Sequence, residues 1–327
     1  MYVCILDQRG EILVHRHMKT DPDTFLQAVA PYRQGIVGAV ECMVTWYWLV
    51  DLCADEGIPC VLGHALSMQA IHGGKAKNDK IDSHQIAALL RGGMLPQAYV
   101  YPAKMRATRD LLRRRMPLAH TRAELLAHVQ NTNSQYNRPA MGQKIAYKAN
   151  RDGVAERFAD AAVQKSIAVD LALITSYDAL LRDVDLTIVN TAQHHAANTL
   201  YRLHTVPGIG KILSLVLRSE IHDVHRVPRG QDFGSSCRLV KGAREAAGKR
   251  YGTAGATIGN AHLTWAFSEA AVLFLRDHPA AQKYLARLEQ KPAKGKALTI
   301  RAQKLARAVY SRLKRQGAFD REQVCQR

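Results

Sequence analysis

Lys75-Ala-Lys-Asn-Asp79-Lys-Ile-Asp82-Ser-His84 places two carboxylates three residues apart, among lysines, at the predicted start of a helix. Residues at i and i+3 share a helix face, so Asp79 and Asp82 can point at one spot. Two acids on one spot can hold a divalent metal, and the lysines beside them can hold phosphate. Acids are also favoured at helix N-termini simply as caps and by the helix dipole. The surrounding sequence has to arbitrate.

Upstream, strands and helices alternate. Tyr2–Leu6 and Ile12–His15 read as a β-hairpin turned at Asp7-Gln-Arg-Gly10. Residues 21–32 read as a helix capped by Asp21 or Thr20, with Pro22 at an early position. Ile36–Val40 is a continuous apolar run ended by Glu41, the pattern of a buried strand. Thr45–Glu56 reads as an apolar helix and Cys60–Leu62 as a strand. Ser83–Leu90 reads as a helix stopped at Gly92-Gly93, and Tyr99–Tyr101 as one more short strand. This alternation predicts an α/β domain with some parallel pairing.

Downstream, the texture turns helical. Arg109–Asn131 is basic, with Arg113-Arg114-Arg115 and a possible kink at Pro117. Residues 131–151 are polar and read as a connector. Val154–Leu203 reads as one or two amphipathic helices, with Ile167, Leu171, Ile174, Leu181, Val184 and Ile188 on one face. Such a stretch packs on another helix, within the subunit or across a dimer. After Val206-Pro-Gly-Ile-Gly-Lys211 come a helix over 212–219 and a basic, Gly-rich segment from Gly230 to Gly259. A helix over 261–274 and a basic helical tail over 283–314 follow.

The chain has 327 residues, 47% of them hydrophobic, and a formal net charge of +18. That excess suits a polyanionic partner, most often DNA or RNA. The sequence shows no apolar run of transmembrane length, no signal peptide and no lipidation motif, so a cytoplasmic protein with no membrane partner is expected. Six scattered cysteines form no CxxC pair and no zinc-like spacing, which predicts reduced thiols.

Three constellations carry chemistry. Glu41 stands at the end of a predicted buried strand, where functional groups collect in open α/β sheets; it can equally precede the next helix for local reasons. Glu41, Asp79 and Asp82 together suggest a ribonuclease-H-like site for Mg²⁺ or Mn²⁺. Val206–Lys211 has the form of a helix-hairpin-helix turn, in which Gly208 and Gly210 let the backbone approach phosphate and Lys211 adds charge; a plain Gly-rich connector has the same composition. The loop Lys241–Thr253, with Lys249 and Arg250, is of the kind that grips phosphates or is simply solvated. Lys75, Lys77, Arg113, Arg114 and Arg115 complete the candidate nucleic-acid-binding set.

With these motifs in view the chain resembles the DEDD transposases of the insertion-sequence 110/1111 group of bacterial mobile elements. The resemblance rests on Ala39-Val-Glu41-Cys-Met with Trp46-Tyr-Trp48, on Gly73–Asp82, and on Leu90-Arg-Gly-Gly-Met-Leu-Pro96. It continues through Val206–Lys211, Cys237-Arg-Leu-Val-Lys241, Ile258-Gly-Asn260-Ala-His-Leu and Trp265–Ala271. It implies an α/β RuvC-like (ribonuclease-H-like) domain over 1–105, a helical coiled-coil region over 106–200, and a mainly α C-terminal domain over 201–327. It further implies four metal-binding acids, of which Glu41, Asp79 and Asp82 match the second, third and fourth. A serine nucleophile that links covalently to DNA, homo-oligomers, and in some members a structured guide RNA from the element are also implied.

Two departures are expected. The first family acid lies in a strand that the resemblance places before Tyr2, and Asp7 aligns with a turn residue; turn aspartates are common for local reasons. The serine position is Ala246, in Arg244-Glu-Ala246-Ala-Gly-Lys, and alanine has no hydroxyl to attack with. A transposase impaired in strand exchange is expected, with a metal-dependent, structure-selective nuclease or an inactive nucleic-acid-binding remnant as alternatives.

Overall fold

Apolar runs on either side of Asp7-Gln-Arg-Gly10 pair as an antiparallel hairpin, β1 (Tyr2–Leu6) and β2 (Ile12–His17). Asp7 builds the turn: its Oδ1 accepts the N–H groups of Arg9 and Glu11, both at 2.8 Å. This computed structural model describes residues 1–43, 45–71, 78–192, 197–254, 258–276, 282 and 294–315. They fall into two units, Met1–Ala103 and Lys104–Arg327.

In the N-terminal unit, helix α1 (Pro22–Val29) is capped by Asp21, which accepts the Thr24 N–H at 2.9 Å. A 3-10 turn (Ala30–Tyr32) leads to strand β3 (Gly38–Glu41). Helix α2 (Tyr47–Asp55) and strand β4 (Cys60–Gly63) follow, then helices α3 (Ala65–Ile71) and α4 (Asp79–Arg91). β3 and β4 pair in parallel with Glu41 opposite Gly63. Among the described residues the two strand pairs do not hydrogen-bond into one sheet. Helix α4 ties them together instead, packing on β1, β2 and β3. The strand expected at Tyr99–Tyr101 is absent; the chain there makes only an isolated bridge between Gly63 and Gln97. Pro96 and Pro102 bracket the segment, and each lacks the N–H that would carry a ladder onward. Ile5, Phe25, Val29, Cys53 and Ile58 form the core beneath the hairpin, and Met68, Leu89 and Leu95 a second cluster under α4.

The C-terminal unit opens with two long helices. α5 (Ala103–Gln135) runs on through Pro117, and α6 is Ala161–Ala192. Ile167, Ile174 and Ile188, on the face read from the sequence, are fully buried. Arg115 pairs with Asp185, Arg122 with Asp178, and His128 with Asp170, each at 2.5 Å. Partner numbers rise along one helix as they fall along the other, so α5 and α6 run antiparallel and form a hairpin within one chain. Buried Arg151 fastens the connector: it donates to the carbonyls of Ile145 and Ala146, to the Thr175 hydroxyl and to Asp178.

Helices α7 (Ala197–His204), α8 (Lys211–Ile221) and α9 (Gly230–Ser236) follow. Strands β5 (Gly242–Ala246) and β6 (Lys249–Ala254) and helices α10 (Ala261–Arg276) and α11 (Lys294–Arg315) complete the unit. Ala266, Ala270, Ala302 and Ala306 are fully buried, which lets α10 and α11 pack closely around Phe267, Leu305 and Val309. The basic, Gly-rich segment from Gly230 to Gly259 holds a short helix, and the part of it read as a loop, Lys241–Thr253, holds a hairpin. Ala247 and Gly248 both have positive φ, 49° and 73°, the geometry of a two-residue hairpin turn. Among the described residues no helix is long and apolar enough to cross a membrane, and no disulfide joins Cys4, Cys42, Cys53, Cys60 or Cys237.

Candidate metal and nucleic-acid site

Glu41 closes β3, and Asp79 and Asp82 occupy the first turn of α4, so the packing of α4 on β3 brings the carrying elements together. The cap of α4 belongs to a different residue. Asn78 accepts the Ile81 N–H at 2.9 Å through its side chain. Asp79 and Asp82 are therefore not needed as caps, and neither carboxylate bonds to another described residue. Three carboxylates offer only oxygen donors, the set that suits a hard divalent cation. The convergence expected of them is incomplete, however: among the described residues no three His, Cys, Asp or Glu side chains gather as an ion-holding group. Lys75 and Lys77 lie outside the described residues.

The first turn of α4 is held by residues that the sequence did not single out. His15 Nε2 donates to the Lys80 carbonyl at 2.9 Å, and the Ser83 hydroxyl donates to the same oxygen at 2.9 Å. The only sequence signal for this was the residue type: His15 is one of two histidines in β2. At the other end of α4, the Arg91 guanidinium packs on Gly10, where a Cβ would meet its Cζ at 3.2 Å.

In the C-terminal unit, the two glycines of the α7–α8 turn have different surroundings. Gly208, at φ +83°, lies against α10: a Cβ there would stand 2.4 Å from the Ala270 carbonyl oxygen. Its missing side chain lets the turn pack on α10. Gly210 precedes α8 and has open space around it. Val206 and Ile209 are buried and anchor the turn. Lys211 is exposed and shares an open groove of about 640 Å³ with Arg115, Arg122 and Arg182.

The arginine triplet divides by helix geometry. Arg113 donates from Nε and Nη2 to buried Glu220, at 2.7 and 3.0 Å, and Arg115 pairs with Asp185. Only Arg114 is exposed. The expected basic patch at Arg113 and Arg115 is thus committed to internal carboxylates. Glu220, 2% exposed, also receives Arg109 and the Asn260 side-chain amide. Asn260 in turn caps α10, accepting the N–H groups of His262 and Leu263. Burial alone pushes the Glu220 carboxyl up; the Arg113 hydrogen bond, the charges of Arg109 and Arg113 and the Asn260 hydrogen bond outweigh it and hold the group below the usual glutamate range. Burial, and then the Arg113 charge, lower His262.

The β5–β6 hairpin presents Arg244, Lys249, Arg250 and Tyr251, all exposed. Ala246 pairs with Lys249 beside the turn. An exposed basic ribbon with an aromatic suits a nucleic-acid backbone and bases.

Two family models match the chain. A family model for transposases of the DEDD, IS110 type matches residues 1–137. A model described as the transposase IS116/IS110/IS902 family matches residues 200–286. No curated protein matches the chain.

Proposed function

The chain belongs to the IS110-type DEDD transposases, and on that premise we propose that it binds the DNA ends of an insertion sequence and is impaired in strand exchange. The two family matches, in order along one chain, support the transposase part of this reading, and Ala246 at the serine position supports the impairment. Domains of the DEDD kind are ribonuclease-H-like and typically use a divalent metal. Glu41, Asp79 and Asp82 are the ligands we assign to Mg²⁺ or Mn²⁺. Such an ion, when bound, would neutralise charge developing on the scissile phosphate. The organisation we propose is 1–105, 106–200 and 201–327, with the long helices serving a homo-oligomer and a structured RNA of the element guiding target choice.

The chain's own residues do the positioning. Gly210 and Lys211, at the open start of α8, offer free N–H groups and a charge to phosphate. Lys249, Arg250 and Tyr251 lie along the exposed hairpin beside Ala246. A serine oxygen at Ala246 would displace a deoxyribose oxygen from phosphorus, and alanine has no oxygen to do so.

A covalent capture assay on element-end DNA with Mg²⁺ tests the assignment. This chain is expected to give no adduct and Ala246→Ser to give a denaturant-resistant one that needs the metal; no adduct with the serine variant overturns the nucleophile position. The methyl group at Ala246 also favours a second reading, a structure-selective nuclease that needs no serine. Cleavage of branched DNA by the unaltered chain, lost in Asp82→Ala, would establish that reading instead.

A further inference from the structure

We propose that His15 is a positioning residue for the acidic turn of α4. The inference rests on the assignment of Asp79 and Asp82 as metal ligands and adds the group that holds them. Lys80 lies between those acids, and its carbonyl oxygen accepts both the His15 Nε2 hydrogen, at 2.9 Å, and the Ser83 hydroxyl, at 2.9 Å. A carbonyl only accepts, so Nε2 carries the proton; it does so whether or not Nδ1 is also protonated. The imidazole is itself held in place. The Tyr2 ring meets it edge-on at 5.3 Å, and the His84 ring lies 6.0 Å away.

The leverage comes from the two ends of α4. Its C-terminal end is fixed on the hairpin turn, where Arg91 packs against Gly10 and donates to the Gln8 carbonyl at 3.4 Å. Among the described residues, the side chain that reaches its N-terminal end from β2 is His15, beside the Asn78 cap. Strand β2 therefore sets how the first turn of α4 is oriented toward β3, and with it where Asp79 and Asp82 stand relative to Glu41. Residues that orient ligands in this way typically change metal affinity by about 10–100-fold when removed.

The test measures Mn²⁺ binding to the full chain by electron paramagnetic resonance, with amide exchange across α4 as a second readout. His15→Ala is expected to weaken Mn²⁺ binding by about 10-fold or more. It is also expected to speed exchange at Asp82, Ser83 and His84 relative to Leu89–Arg91. His15→Gln keeps a donor of similar reach and is expected to recover most of the affinity, which a merely space-filling role would not predict. Asp82→Ala separates the two levels of the argument. If Asp82→Ala loses the ion and His15→Ala binds it as the parent does, the positioning role is wrong and the ligand assignment stands. If Asp82→Ala, or the parent itself, shows no difference attributable to the ion, the ligand assignment fails and the role of His15 falls with it.

Discussion

Gly208 and Gly210 are two residues apart and respond to opposite constraints. A methyl group on Gly208 would meet the backbone of Ala270 and Phe274 at 2.4 and 2.7 Å, at a φ of +83°. Neither backbone can yield without moving α10. Gly208→Ala is expected to lower stability by about 3 kcal/mol or more, among the larger single-residue effects. Gly210→Ala meets open space at an ordinary φ of −81°; the expected loss is under about 1 kcal/mol, the worth of a cap position. Urea unfolding of both variants checks the contrast, and equal effects would refute the packing account. The acid limb of stability is also set by single residues. A histidine lowered by burial, as His262 is, is neutral in the fold while the unfolded chain takes up its proton first. Stability therefore begins to fall as pH drops through the ordinary value of 6.5. His222 is lowered too, first by burial and then by Arg218, and shares this limb. Glu220 is held below the ordinary 4.5, so its contribution is complete above that value and is lost as pH falls through the lower native one. A urea midpoint followed from neutral pH downward is expected to show both steps, and Glu220→Gln to flatten the second.

At the scale of elements, the α5–α6 hairpin is held by an ion-pair ladder whose rungs differ in burial. Asp178 receives both Arg122 and Arg151, and the Arg151 side chain is 5% exposed. Burial pushes the Asp178 carboxyl up, and the hydrogen bonds from the two arginines outweigh it and hold it low. Asp178→Ala leaves a buried guanidinium without its carboxylate, an expected loss of about 3 kcal/mol. Asp185→Ala, whose partner Arg115 is less buried, is expected to lose about 1 kcal/mol. Comparable effects in thermal unfolding would contradict the ladder. Much of this hairpin was legible in advance. A seven-residue recurrence at Ile167, Ile174, Leu181 and Ile188 marks a packed helix face, and it requires only periodicity to be seen. The partner of that face was not legible, because ion pairs such as Arg115 with Asp185 depend on register between distant segments. The same limit explains the arginine triplet. Charge composition makes Arg113, Arg114 and Arg115 alike, and only the helix rotation against α8 assigns Arg113 to Glu220. The β5–β6 hairpin escaped because its strands lack apolar alternation; Gly248 was its one local sign. The acids of α4 were readable from spacing, whereas His15, 65 residues from the carbonyl that it holds, had no sequence signal beyond its type.

Across the whole molecule, the net charge of +18 governs how the chain meets DNA. Each phosphate contact releases condensed counterions, so the logarithm of the DNA association constant should fall linearly with the logarithm of salt. Total charge does not set that slope; the number of cations free to reach phosphate does. The structure separates the two. Arg109, Arg113, Arg115, Arg122 and Arg151 are engaged with internal carboxylates. Lys211, Lys249 and Arg250 face solvent. Replacing Lys249 and Arg250 together by alanine is expected to reduce the slope by about 2, roughly one for each lost phosphate contact, with little change in the unfolding midpoint. Arg113→Ala is expected to do the reverse: the midpoint falls because Glu220 loses its bidentate partner, and the slope stays as it was. Fluorescence anisotropy on duplex DNA over a series of salt concentrations, paired with urea unfolding of the same samples, reads both quantities. If Arg113→Ala changed the slope as much as the hairpin variant did, the internal pairing of that arginine would not survive in the DNA complex, and α5 would be a contact surface in its own right.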